Sequence, residues 1–92
     1  MQIISYTSEI FEEDGQVVSL CPELNVSSYG STAEEALDSL KEAVTLFLEE
    51  CRLMGTIDLV LEESGYRREP GVPDRWIYRQ PIQINRLEAA VA

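Results

Sequence analysis

Thr32-Ala33-Glu34-Glu35-Ala36-Leu37-Asp38-Ser39-Leu40-Lys41-Glu42-Ala43-Val44-Thr45-Leu46-Phe47-Leu48-Glu49-Glu50-Cys51, residues 32–51, carries the strongest periodic pattern in the chain. Ala36, Leu37, Leu40, Ala43, Val44, Phe47, Leu48 and Cys51 recur at spacings of one, three and four, which makes a continuous apolar stripe along a helix. Thr32 followed three residues later by Glu35 is a capping box. Glu34 and Glu35 also suit the positive end of the helix dipole. Glu34, Glu35, Asp38, Glu42, Glu49 and Glu50 lie off the stripe, and Gly55 marks the stop.

Such a helix must lay its stripe on another element, and the residues before it supply one. Residues 2–12 alternate as a strand, with Ile4, Tyr6 and Ile10 on one face and Ser5, Thr7 and Glu9 on the other. Asp14-Gly15 follows between apolar runs, a turn pair that tolerates the positive φ angles of a tight hairpin. Gln16 to Cys21 forms the second strand, and Pro22, which has no backbone donor, halts its ladder. Asn25 to Tyr29 reads as a third strand, and Gly30 turns the chain towards the helix. The helix therefore covers one face of a three-stranded antiparallel meander.

Beyond it, Thr56 is expected to cap a shorter helix with Ile57, Val60 and Leu61 inward and Gly65 at its end. Residues 66–74 read as a loop because of Pro70, Gly71 and Pro73. A last strand is expected over Arg75 to Leu87. There Ile82 and Ile84 alternate with Gln83 and Asn85, and Pro81 argues for a bulge or a sheet edge. The tail from Glu88 is left unassigned. The fold class is α+β, an antiparallel sheet in the order β-β-β-α-(α)-β with helices on one face. Residues 1–92 make a single domain, since half of that length would hold too small an interior.

The chemistry is defined largely by exclusion. The apolar fraction of 45% argues against disorder. No apolar run is long enough to cross a membrane and no signal peptide is visible, so a cytoplasmic location is expected. The chain has no histidine, and its two cysteines, Cys21 and Cys51, belong to no C-x-x-C pair. Zinc sites and Ser-His or Cys-His catalysis are thereby disfavoured, and both cysteines are expected as half-buried thiols. Among carboxylates, Glu13, Asp14, Glu23, Glu35 and Asp38 could in principle hold a divalent metal, as in a metal-dependent nuclease. Their positions in a hairpin tip and on a solvated helix face instead suit a structural or surface role. Ser27, Ser28 and Ser31 have no base beside them in sequence. We expect no enzyme, no cofactor and no metal.

Charge is the most informative remaining property. The formal net charge is −10. Residues 1–50 hold eleven acids against the single Lys41, whereas residues 51–92 hold six acids and six arginines. The first half repels a phosphate backbone, so direct nucleic-acid binding is not expected, and it attracts a basic protein.

One family resemblance agrees with that polarity. Asp14-Gly15-Gln16-Val17-Val18-Ser19-Leu20-Cys21-Pro22-Glu23-Leu24 resembles the hairpin of HicB-type antitoxins, where a D-G turn leads into an apolar strand ending in C-P-E-L. Tyr29-Gly30-Ser31-Thr32-Ala33-Glu34-Glu35-Ala36-Leu37 is similar to their G-x-T-x-E-E-A-L, and Leu40-Lys41-Glu42-Ala43 to their L-K-E-A. The likeness covers residues 14–50 in register, and the last stretch, to Leu87-Glu88, is similar to short members of the family. It departs at Asn25-Val26, where many members have Pro-Gly-Cys.

The resemblance implies a partial ribonuclease-H-like fold without catalytic carboxylates. It implies a partner as well, a small basic HicA-like toxin that cleaves messenger RNA and whose active surface the antitoxin masks. It further implies a homodimer or homotetramer, and the chain has no room for the DNA-binding domain of longer members. On this reading Glu34, Glu35, Asp38 and Glu42, with Glu13 and Asp14, are the candidate partner contacts. Trp76, Tyr78 and Ile82 share one face of the last strand, as core or as an oligomer edge. The alternative is an orphan domain of the same fold acting as a homo-oligomeric scaffold or regulator.

Overall fold

A computed structural model describes residues 1–92. In chain order its elements are β1 (Ile3–Ile4), β2 (Glu9–Glu13), β3 (Gln16–Cys21), β4 (Val26–Gly30), α1 (Ala33–Leu53), α2 (Ile57–Ser64), β5 (Tyr66–Glu69) and β6 (Val72–Tyr78). The class is α+β, with the strands divided between two three-stranded sheets, β2-β3-β4 and β1-β6-β5.

The first sheet is the meander that the sequence predicts. Glu9 to Glu13 pair antiparallel with Leu20 to Gln16, and Val17 to Cys21 pair with Gly30 to Val26. Asp14 and Gly15 close the hairpin with φ of 50° and 79°, the left-handed pair that a two-residue turn demands. Thr32 caps α1: its hydroxyl accepts from the Glu35 N–H at 3.1 Å, and the Glu35 carboxylate accepts from the Ser31 N–H at 2.8 Å. All eight residues of the predicted stripe are buried or half-buried.

α1 sits on β3 and β4 through small residues at its N-terminal end. Ser19, fully buried on β3, donates a hydrogen bond of 2.7 Å to the Ala36 carbonyl, and Ala36 is itself fully buried. At Gly30 the approach is closer. A Cβ there would lie 2.7 Å from both the Ala36 nitrogen and the Glu35 Cβ. Further along the helix, Leu40 and Val44 join Cys21, Leu24, Leu61, Tyr66 and Trp76 in one cluster.

The second sheet departs from the sequence reading in three respects. The expected single strand over residues 2–12 is divided at Ser5–Ser8, because side chains occupy the hydrogen-bonding positions that a neighbouring strand would fill. The Tyr66 hydroxyl donates to the Ser5 carbonyl at 2.7 Å, and the Thr7 N–H donates to the Glu23 carboxylate at 3.1 Å. The expected loop over 66–74 is instead a hairpin, β5 against β6, turning at Pro70-Gly71. Pro73 is tolerated because the register shifts at Arg68/Glu69, from Trp76 opposite Arg68 to Val72 opposite Glu69, so Pro73 has no partner to which a donor is owed. Finally, the last strand runs over Val72–Tyr78 and not over 75–87. Its central position follows from a parallel pairing with β1, Ile3 opposite Arg75 and Ile4 opposite Trp76. Pro81 lies beyond the end of the strand and not within a bulge.

Both cysteines are buried, Cys21 completely, where half-burial was expected. Thr56 stands at the start of α2 as predicted, but its hydroxyl turns back to the Cys51 carbonyl at 3.3 Å and gives α2 no side-chain cap. No helix is long and apolar enough to cross a membrane.

The closeness at Gly30 sets an expected outcome. Its φ is not in the left-handed region, so alanine there meets a steric obstacle and no conformational one. Gly30→Ala should cost about 1–3 kcal/mol by forcing α1 off its seat. Urea unfolding would measure this, and an unchanged midpoint would show that the seat is softer than the geometry indicates.

Candidate functional site

The candidate contacts occupy one end and one face of the acidic half. Glu13 and Asp14 form the hairpin tip. Val17 pairs with Gly30, so the tip and the start of α1 lie at the same end of the sheet. Glu34, Asp38 and Glu42 succeed one another at four-residue spacing on the outer face of α1, and all are exposed. Glu35 is exposed too, but its carboxylate is held by the Ser31 N–H. Lys41, the only cation in this half, approaches Asp38 at 3.9 Å. Asp38, Lys41, Glu42, Thr45 and Leu46 line a shallow recess of ≈ 340 Å³. Leu46 is 68% exposed there, an apolar side chain set among charges.

Little of this field is compensated within the chain. Besides Asp38–Lys41, the ion pairs are Arg52–Glu49, Arg68–Asp58 and Arg75–Glu69, so three of the four lie wholly or partly in the second half. Arg68 in addition stacks over the Trp76 ring at 4.5 Å. Arg68 and Arg75 thus attend the second sheet, Arg52 pairs within α1, and Glu34 and Glu42 on the outer face of α1 have no ion-pair partner.

Of the three residues expected on one face of the last strand, Trp76 and Tyr78 share that face and turn into the core, whereas Ile82 does not. Trp76 is 1% exposed at the centre of the core, and Tyr78 packs against that core with its ring edge-on to Tyr66, centroids 5.2 Å apart. Ile82 lies outside the strand and is fully exposed.

Sequence reasoning missed a polar network under the C-P-E-L turn. Glu23 receives the Thr7 N–H at 3.1 and 3.2 Å and the Thr7 hydroxyl at 2.7 Å, while the Cys21 thiol lies 3.5 Å from it as a donor. Burial by itself pushes the Glu23 carboxyl up. The hydrogen bonds from the Thr7 hydroxyl, the backbone and the thiol outweigh that and hold it below the ordinary carboxylate range. Burial, seconded by the Glu23 charge, pushes the Cys21 thiol up against the pull of the Leu24 N–H. Burial likewise raises Tyr6 and Tyr66. Through these bonds the Glu23 carboxylate stitches the stretch between β1 and β2 to the turn after β3. Only the position of Glu23 inside a turn after an apolar strand hinted at this. No group of three or more His, Cys, Asp or Glu side chains is placed to hold a metal ion.

The network makes stability depend on pH. The folded carboxyl titrates lower than the unfolded one, so its contribution is complete above the unfolded value, about 4.3, and is lost as pH falls through the folded value. Glu23→Gln should cost about 1 kcal/mol at neutral pH, low in the range for charged hydrogen bonds because the group is partly solvated. The gap to the unsubstituted chain should close in acid. Thermal melts across a pH series would show this, and a gap of constant size would remove the carboxylate from the account.

Compared with family profiles, with curated proteins and with solved structures, the chain matches none.

Proposed function

We propose that this chain is a non-enzymatic binding protein of antitoxin type, which neutralises a basic RNA-cleaving protein by covering the surface that would hold RNA. The observation that carries this reading is the acidic stripe Glu34, Asp38 and Glu42, met by the single cation Lys41 beside Asp38, on a helix tied to its sheet by the Ser19–Ala36 hydrogen bond. A surface built for phosphates presents lysines and arginines at intervals. A rigid row of carboxylates engages it without the ordering entropy that a flexible acidic tail would lose. Leu46 beside the stripe gives the contact an apolar centre, as protein interfaces require.

The resemblance to HicB antitoxins supports the same reading and rests on the residues quoted for it. The β-β-β-α-β order that the resemblance implies is found in the chain only with β1 and β2 counted as one divided strand and α2 and β5 set aside, and the strands lie in two sheets. On this reading the fold is the HicB-like, partial ribonuclease-H-like one. The hairpin acids Glu13 and Asp14, at the same end as the N-terminus of α1, would extend the covered area.

The test pairs the chain with the protein encoded next to it. Co-expression should yield a complex with a small basic protein that is toxic when produced alone. Glu34→Lys, Asp38→Lys and Glu42→Lys together should weaken that complex about 10- to 100-fold at low salt and flatten its salt dependence. Glu35 is left in place because it holds Ser31. If the triple variant binds as tightly as the unsubstituted chain across a salt series, the contact face has been misassigned. If no basic neighbour binds, the antitoxin reading fails.

A further inference from the structure

The chain leaves β6 at Tyr78 and continues for fourteen residues with no helix or strand. The Arg79 N–H still donates to the Gly65 carbonyl at 3.1 Å. Beyond it the only hydrogen bonds are local, Gln80 to the Tyr78 carbonyl and Gln83 to Asn85. Ile82, Ile84, Leu87 and Val91 are 105%, 84%, 87% and 90% exposed. Ile82 and Ile84 alternate with Gln83 and Asn85, the period of a strand with one apolar face, yet nothing in the chain covers that face. The radius of gyration is 15.9 Å, against about 12 Å for a compact chain of this length. Apolar side chains held in water in this way mark a surface meant to be covered.

The body carries a groove of matching chemistry. α1 packs chiefly on β3 and β4 and α2 on β5, which leaves the first strand between them only half covered. There Ile4 and Tyr6, Val44 and Leu48 of α1, and Ile57 of α2 line a groove of ≈ 670 Å³, with Glu49 and Arg52 at its rim held to each other by a 2.8 Å ion pair. At the ~30 Å³ of liquid that one water occupies, this is room for roughly twenty waters, a space for several residues of extended peptide.

We propose that the segment Pro81–Ala92 of one copy lies in this groove of a second copy, in a reciprocal exchange that makes the chain a dimer. The inference goes beyond the binding function proposed above and does not depend on it.

Charge selects this occupant. Residues 79–92 hold two arginines and one glutamate, net +1, whereas residues 1–78 hold sixteen acids and five basic side chains, net −11. The groove's own charges, Glu49 and Arg52, are paired, but Thr45 borders both the groove and the recess of Asp38, Lys41 and Glu42, so those two acids are the nearest carboxylates beyond the groove that Arg86 of a seated segment would meet. Direction selects a second copy over the segment's own body. β6 runs parallel to β1, with Trp76 level with Ile4, so Tyr78 leads past Tyr6 and away from the Met1 end of the groove. Entering its own groove requires the segment to reverse at once, whereas a neighbour's groove receives it extended. Reciprocity then fills two grooves with a single two-fold contact.

Sedimentation or light scattering of the full chain over a dilution series should give a dimer. Ile82→Asp with Ile84→Asp should raise its dissociation constant at least 100-fold while helix content stays unchanged, since neither side chain packs within the monomer. A chain carrying Thr45→Cys, mixed with a chain carrying Ile84→Cys and oxidised, should form a disulfide between copies, with the native cysteines protected by burial. A monomer at all concentrations, a dimer that survives both aspartates, or a disulfide that forms only when both cysteines are on one chain would each overturn the proposal. The chain is assayed alone, so the outcome is separable from failure to bind a toxin.

Discussion

The seat of α1 on β3 and β4 is the contact on which the other parts depend. Ser19, Gly30 and Ala36 let the helix backbone come within side-chain contact of the strands, and the Ser19 hydroxyl closes that approach with a 2.7 Å bond to the Ala36 carbonyl. From that end the helix carries Leu40 and Val44 into one cluster with Trp76, Leu61 and Tyr66. Each large side chain in that layer contributes roughly 1.5–3 kcal/mol before entropy is subtracted. With only ten of 92 residues buried, the chain has few such contributions, so loss of the seat would be felt throughout the fold. The same seat orients the acidic stripe, because the inward face of Ala36, Leu40 and Val44 determines which residues point out.

A second constraint follows from the first strand serving two sheets. β2 pairs with β3 and β1 pairs with β6, so the strand between them has to give up its ladder for a few residues. Glu23 and Tyr66 take the vacated positions from opposite ends of the sequence, one from the turn after β3 and one from the start of β5. An ionised carboxylate suits this place because it accepts from the Thr7 N–H and hydroxyl together and needs no proton of its own. The division of the strand also explains the groove. α1 follows the first sheet, α2 follows the second, and the strand that joins them is left between the two helices.

How far the sequence disclosed this was a matter of range. The helix, its Thr32 cap and the Asp14-Gly15 turn are set by residues a few positions apart, and each could be placed from local pattern. The division at Ser5–Ser8 depends on Glu23 and Tyr66, sixteen and sixty-one residues from the groups they bind, and no local pattern carries it. β5 was masked by Pro70, Gly71 and Pro73, whose effect is confined to a turn and a register shift. The last strand was extended too far because Ile82 and Ile84 have the period of a strand, and period alone does not say whether a partner lies within the chain. At the candidate site, the acids were legible as charges. That Glu35 is committed to its helix, and that Glu23 belongs to the interior network, required the hydrogen bonds to be seen.

The uneven distribution of charge bears on both association surfaces. Two bodies of net −11 repel one another, so face-to-face packing of identical copies is opposed by the same field that favours a basic partner. A self-association that proceeds through a nearly neutral, apolar segment avoids most of that repulsion, because the segment crosses to the neighbour while the bodies keep their distance. The two surfaces nevertheless meet at Thr45, which borders the groove on one side and the recess of Asp38 and Glu42 on the other. A basic partner proposed on the stripe and the Arg86-bearing segment proposed in the groove would therefore draw on neighbouring carboxylates. Where two cations compete for one set of acids, occupancy of either site weakens the other by the electrostatic work they share, and by linkage the effect is equal in both directions. If both proposals hold, partner binding and exchange of the segment would be coupled through α1 without any change in the fold.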